Sequence, residues 1–254
     1  MINCSKLLQS TETLNEIKRY SAIKEKTPKW MLRFSKTASP MVVWNVTRKC
    51  NLSCAHCYIN AVGPEETVSE EDMGDLTTRE AMDMIDDLVA IKSPMLVFSG
   101  GEPLLREDIY ELNVYAMKLG LRTILSTNST LITMEVANKI KEAGFAYVGV
   151  SLDGTDEVHD SFRGAKGAFE KSLQGLRNLM AAGVRTGVRF AITNQNYNEL
   201  SKVLEITRRE KIPRFSLFQL VYGGRGKEII DWDIFNDQRR EVMDYIIKEA
   251  KVNN

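Results

Sequence analysis

The sequence predicts an α/β protein built on a parallel sheet of six βα units, with residues 1–40 as an N-terminal extension and residues 41–254 as one core domain. Three observations carry this. Short apolar runs rich in β-branched residues recur through the core. Each is followed by a longer segment of helical period, the alternation expected of a parallel sheet covered by helices. Glycine pairs and lone polar residues fall directly after the apolar runs, where such sheets place their ligands.

In chain order, residues 1–40 are mixed and polar, with weak helical periodicity near Leu7 to Ile23 and turn signals at Thr27-Pro28 and Ser39-Pro40. The strands read as Met41 to Val46, Met95 to Ser99, Arg122 to Thr127, Ala146 to Leu152, Val184 to Thr193 and Arg214 to Tyr222. Thr77-Thr78-Arg79-Glu80 is a capping box that starts the first helix, with Ala81, Ile85, Leu88 and Val89 on one face. Helices near Asp108 to Leu119, Met134 to Ala143 and Ala168 to Ala182 each end before a glycine, Gly120, Gly144 or Gly183, suited to the left-handed stop. Tyr197 to Glu210 and Ile234 to Lys251 are amphipathic and complete the fifth and sixth units.

With 254 residues, 43% of them apolar, the chain is long enough to bury a sizeable core. Its 34 basic and 34 acidic residues balance, so no overall field favours nucleic acid or an anionic membrane. Arg19 to Lys36 is basic and Glu65 to Asp75 acidic, and such runs read first as solvated faces. No apolar run approaches the roughly 20 residues needed to span a bilayer, and Met1 to Ser10 lacks the core of a signal peptide. The expected location is therefore the cytoplasm. Cys4 stands alone and reads as a plain thiol.

The other three cysteines lie within eight residues, Cys50-Asn51-Leu52-Ser53-Cys54-Ala55-His56-Cys57, directly after the first strand. Thiolates so spaced select soft metals. Most iron-sulfur cubanes use four cysteines, so three imply a cluster with one iron left open to a ligand. The alternative is a zinc site with His56 as the fourth member of a Cys3His set. Against it, His56 directly precedes Cys57, and zinc modules usually split their ligands into two separated pairs.

This C-x3-C-x2-C loop resembles the signature of the radical S-adenosylmethionine (SAM) superfamily. The resemblance implies a partial (β/α)6 TIM-like barrel, a [4Fe-4S] cluster on Cys50, Cys54 and Cys57, and SAM chelated at the fourth iron. It further implies reductive cleavage of SAM to methionine and a deoxyadenosyl radical that removes a hydrogen atom from substrate. His56 stands where the family usually carries an aromatic residue, beside the cofactor. Gly100-Gly101-Glu102-Pro103, otherwise a strand-to-helix turn, matches the family stretch that meets the SAM ammonium. Ser151 and Asp153, and with them Asn128, match polar positions that bind the ribose hydroxyls and methionine carboxylate; capping of the next turn is their plain alternative. Arg163, read in the loop after the fourth strand, has a fork suited to a carboxylate. Ile192 and Val221 read as core packing, with adenine stacking as a second possibility. His159, the remaining histidine, reads as an exposed loop residue or a proton donor after radical chemistry.

Within the superfamily the chain most resembles the tetrapyrrole-modifying subgroup, from Met1-Ile2-Asn3-Cys4 through Val42-Val43-Trp44-Asn45-Val46-Thr47-Arg48 to Gly224-Arg225-Gly226. The implied activity is a step of alternative haem or haem d1 biosynthesis, such as deacetylation of didecarboxysiroheme, with ferredoxin or flavodoxin as electron donor and Arg225 meeting a substrate propionate. Two departures stand out. The subgroup's auxiliary-cluster cysteines have no counterpart after Cys57, and its proline before the GRG loop is replaced by Tyr222-Gly223. The chain thus reads as a short or truncated form. The same chemistry on a peptide, in a maturase or a sulfatase-activating enzyme, is the alternative, followed by a non-enzymatic zinc module.

Overall fold

A computed structural model of the chain describes residues 39–69 and 73–252. The expectations for the first 38 residues, including Cys4, the helical stretch near Leu7 to Ile23 and the Thr27-Pro28 turn, lie outside that range. Six strands form one sheet, all parallel and in sequence order: β1 (Val42–Asn45), β2 (Met95–Ser99), β3 (Arg122–Thr127), β4 (Tyr147–Ser151), β5 (Thr186–Ile192) and β6 (Phe215–Gln219). Right-handed crossovers between successive neighbours put every connecting helix on the same side of the sheet. The sheet therefore curls into an open barrel with helices outside and a concave face within.

Seven α-helices lie among the described residues: α1 (Thr78–Ala90), α2 (Ile109–Lys118), α3 (Met134–Ala143), α4 (Asp156–Arg163), α5 (Ala168–Ala181), α6 (Leu200–Arg209) and α7 (Asn236–Val252). The expected α1 forms with its capping box complete: Thr77 Oγ1 accepts from Glu80 N at 3.3 Å and Glu80 Oε2 from Thr77 N at 2.9 Å. Gly120, Gly144 and Gly183 stop their helices at φ of 88°, 81° and 70°. The helix α4 was not expected; it is short, polar and without an apolar stripe. Two signals for it stand in the sequence, acidic Asp156 and Glu157 in its first turn and Gly164 at its end with φ 64°.

Side chains alternate between the faces of a strand. Leu96 and Phe98 of β2, Leu125 of β3, Val148 and Val150 of β4, and Val188 and Phe190 of β5 point outward and are fully buried against the helices. The opposite set, Val97, Ile124, Ser126, Gly149, Ser151, Arg189, Ser216 and Phe218 among them, lines the concave face through the register of the ladder. It is markedly more polar. No described helix is long and apolar enough to cross a membrane.

Candidate active site at the carboxyl edge of the sheet

The cysteine loop leaves β1 and is held by three other strand ends. Behind β2, Gly101 N donates to Thr47 O at 2.8 Å and Glu102 N to Lys49 O at 2.8 Å. A Cβ on Gly101 would lie 2.1 Å from Lys49 O, so the glycine pair is required by backbone meeting backbone. Behind β4, Ser53 N and Ala55 N donate to Arg163 O and Phe162 O at 3.1 and 3.0 Å, which ties the loop to the end of α4. Behind β6, Arg225 Nε donates to Cys54 O and its Nη1 to Ala61 O, both at 2.9 Å. The loop is thereby fixed at both ends and its middle.

Inside this frame sit two carboxylates with 0% exposure, Glu102 and Asp153. Glu102 accepts from Thr127 Oγ1 at 2.8 Å, Asn128 N at 2.9 Å and Leu104 N at 3.2 Å, joining the ends of β2 and β3. Burial pushes its pKa up to about 7 against these hydrogen bonds. Asp153 accepts from Ala191 N at 2.7 Å, lies 3.3 Å from His56 Nε2 and pairs closely with Arg163. Burial would raise its carboxyl too, but Arg163 and then His56 hold it well below the usual range. Arg163 faces the cysteine loop as well, its Nη1 3.6 Å from Cys54 Sγ.

The thiols fit a cluster. Cys50, Cys54 and Cys57 are part-buried and unbridged. Burial pushes Cys50 up to about 12, and raises Cys54 with Arg163 opposing it. A coordinated metal would take the place of those protons, since it binds the thiolate. Among the described residues no three His, Cys, Asp or Glu side chains gather round one point as a single ion would need. A cubane asks for no such convergence, because each thiolate binds a different iron. His56 meanwhile directs Nε2 at Asp153 and packs its ring 5.5 Å from Phe162, which is no arrangement for a fourth zinc ligand.

The expected site residues thus converge on one edge, with several differences in role. Gly100 and Gly101 serve the contact with residues 46–49, a packing duty the sequence could not separate from approach to a ligand. Asn128 bonds Asn51 of the cysteine loop at 2.9 Å and caps its own turn through Thr130. Ser151 ends β4 on the concave face. Ile192 has 0% exposure within the core, whereas Val221 is 56% exposed. Arg163 is the last residue of α4 and buried, where a loop position had been expected. His159 is likewise buried on α4; its Nδ1 accepts from Asp153 N at 3.0 Å and burial pushes its pKa down to about 3, so it is neutral. Arg225, expected at a propionate, spends Nε and Nη1 on carbonyls of the cysteine loop, and its Nη2 has no hydrogen-bond partner. The sequence reading missed Arg189 on the concave face and Tyr58, whose hydroxyl lies 2.7 Å from Asn45 Oδ1 and 3.0 Å from Ser99 Oγ. The place of Arg189 within an alternating strand was its available signal.

Known proteins resemble the chain both in sequence and in fold. The family model of the Radical SAM superfamily matches residues 44–206. The chain is 43% identical over 251 residues to the Fe-coproporphyrin III synthase of Methanosarcina barkeri, covering 99% of this chain and 61% of that protein. It is 41% identical over 216 residues to the pre-heme d1 synthase of Dinoroseobacter shibae, covering 84% of this chain and 52% of that one. The chain therefore spans little more than half the length of these relatives. Among solved structures, native anSMEcpe with bound AdoMet superposes with a TM-score of 0.64 at 20% identity, over 82% of this chain and 59% of that one, a likeness of fold.

Proposed function

The chain belongs to the radical SAM superfamily, and on that premise we propose that it is a SAM-dependent enzyme of haem or haem d1 biosynthesis acting on a tetrapyrrole. Residues 41–254 form its radical SAM core, with residues 1–40 as an extension. Alignment of almost the whole chain with an Fe-coproporphyrin III synthase is the observation that carries the substrate class. Within that class the finer reading is deacetylation of didecarboxysiroheme.

Cys50, Cys54 and Cys57 would hold the [4Fe-4S] cluster, with SAM at the edge formed by His56, Gly100, Gly101, Glu102, Asn128, Ser151, Asp153, Arg163 and Ile192. When bound, cluster and SAM supply reductive cleavage and abstraction of a hydrogen atom. The chain's own residues orient and exclude. Asp153 and Arg163 form a buried ion pair beside Cys54, whose mutual attraction offsets their removal from water. Glu102 and Asn128 lock the ends of β2 and β3 against the cysteine loop. The partly exposed concave side chains Ser126, Ser151, Arg189 and Phe218 are where a flat polyanion would lie. A one-electron donor of the ferredoxin or flavodoxin class in a reducing cytoplasm completes the reading.

Anaerobic reconstitution tests it. The protein should take up about four irons and four sulfides, lose both in Cys50→Ala, Cys54→Ala or Cys57→Ala, and keep both in Cys4→Ala. A visible-absorption titration with didecarboxysiroheme should then show saturable binding, and that ligand should stimulate deoxyadenosine release. One zinc without sulfide overturns the radical SAM reading. Release stimulated only by a cysteine- or serine-containing peptide moves the substrate to the peptide class.

A further inference from the structure

The concave face of the sheet carries a cation that no carboxylate in the described residues neutralises. Arg189 lies in the middle of β5, in register with Ser151 of β4 and Ser216 of β6. Its Nη1 donates to Ser126 Oγ on β3, and its guanidinium carbon lies 5.8 Å from the centre of the Phe218 ring on β6. On β4, between those two strands, stands Gly149, where a Cβ would come within 2.1 Å of Arg189 Nε. The side chain therefore crosses the sheet through a gap that only glycine leaves. The ionisable groups acting on it are Tyr147, Arg214 and Tyr58, none a carboxylate, and burial holds its pKa below the ordinary arginine value.

A guanidinium partly withdrawn from water gains from a counter-ion, and its planar fork matches a carboxylate. Arg163, the arginine that the family resemblance offered for that purpose, is already paired with Asp153. Arg189 has kept its charge free and turns it toward the space that a ligand would enter.

We propose that Arg189 is a carboxylate anchor of the concave face, receiving a carboxylate of a bound ligand beside Ser126 and Ser151. Two ligands of the proposed reaction carry that group, the methionine end of SAM and the side chains of the tetrapyrrole. The identity of those ligands rests on the function proposed above; the anchor itself rests on the geometry of β3 to β6.

The test measures both affinities in reconstituted protein, SAM by calorimetry and didecarboxysiroheme by visible absorption, for wild type, Arg189→Met and Arg189→Lys. Methionine retains the apolar stem without charge, and lysine retains the charge without the fork. Arg189→Met should weaken one ligand by about 10- to 100-fold, the size of a lost hydrogen bond to a charged group, with Arg189→Lys in between; which ligand weakens identifies the source of the carboxylate. Both affinities unchanged to within about twofold, in a variant with wild-type iron content, overturn the anchor and leave the proposed function standing. SAM binding that weakens in Arg189→Met while wild type ignores the tetrapyrrole keeps the anchor and removes the substrate reading. Should Arg189→Met fail to hold iron, the comparison of Arg189→Lys with wild type decides. Binding of neither ligand by wild type overturns both.

Discussion

Asp153 and Glu102 are buried to the same degree, yet one is held ionised and the other is pushed up to about 7. Burial acts on both; the difference is the Arg163 guanidinium in contact with Asp153, where Glu102 has only neutral donors in contact. The folded pKa of Glu102 lies above its unfolded value of 4.5, so the stability it contributes is complete below pH 4.5 and is lost as pH rises toward 7. At 1.36 kcal/mol per unit the span is on the order of 3 kcal/mol. Urea unfolding at pH 5 and pH 7.5 should show that fall in the native protein and a flatter profile in Glu102→Gln. Equal slopes in the two proteins would show that Glu102 does not titrate there. That a glutamate in a Gly-Gly-Glu-Pro stretch matters was legible in the sequence; its service as a tie between β2 and β3 was not, because the donors come from residues 25 and 26 positions away.

At the scale of elements, helix boundaries written in local chemistry matched the expectation. Met134–Ala143 coincides with it to the residue, and β2 and β3 likewise. α4 escaped because periodicity needs an apolar stripe, and its inward face consists of His159, Phe162 and Arg163, serving the site more than the core. Loops are where tertiary contact raises the stakes of a single residue. Gly120 and Gly224 both have positive φ, 88° and 51°. A Cβ at Gly120 meets nothing within 4 Å, while one at Gly224 would lie 2.5 Å from Cys57 O. Gly120→Ala should therefore cost about 1 kcal/mol, the left-handed penalty alone. Gly224→Ala should cost more and should also speed iron loss to a chelator, since relief of the clash displaces the cysteine loop. Equal destabilisation with equal iron retention would deny that the loop after β6 supports the cysteines.

Across the whole molecule, one edge of the sheet gathers segments remote in sequence, and Arg225 shows how. It reaches carbonyls 171 and 164 positions away and so binds the last strand's loop to the first strand's. Arg225→Ala should lower the stability of the cysteine loop by about 1.5 to 3 kcal/mol, the range for hydrogen bonds to a charged donor, seen as faster iron release under chelator challenge, with tetrapyrrole affinity unchanged. Weakened tetrapyrrole binding with normal iron retention would return Arg225 to the rim as a propionate contact. The sequence by itself determined the six βα units, the left-handed stops and the family to which the cysteine loop points, because periodicity, capping and cysteine spacing are local properties. It also determined which edge would hold the polar residues, since parallel strands in series all end on the same side. Only the tertiary structure decided what each polar residue faces. The burial of His159, the pairing of Arg163 with Asp153, the hold of Arg225 on the cysteine loop and the unneutralised charge of Arg189 depend on distances between separate strand ends, set by the curl and register of the packed sheet.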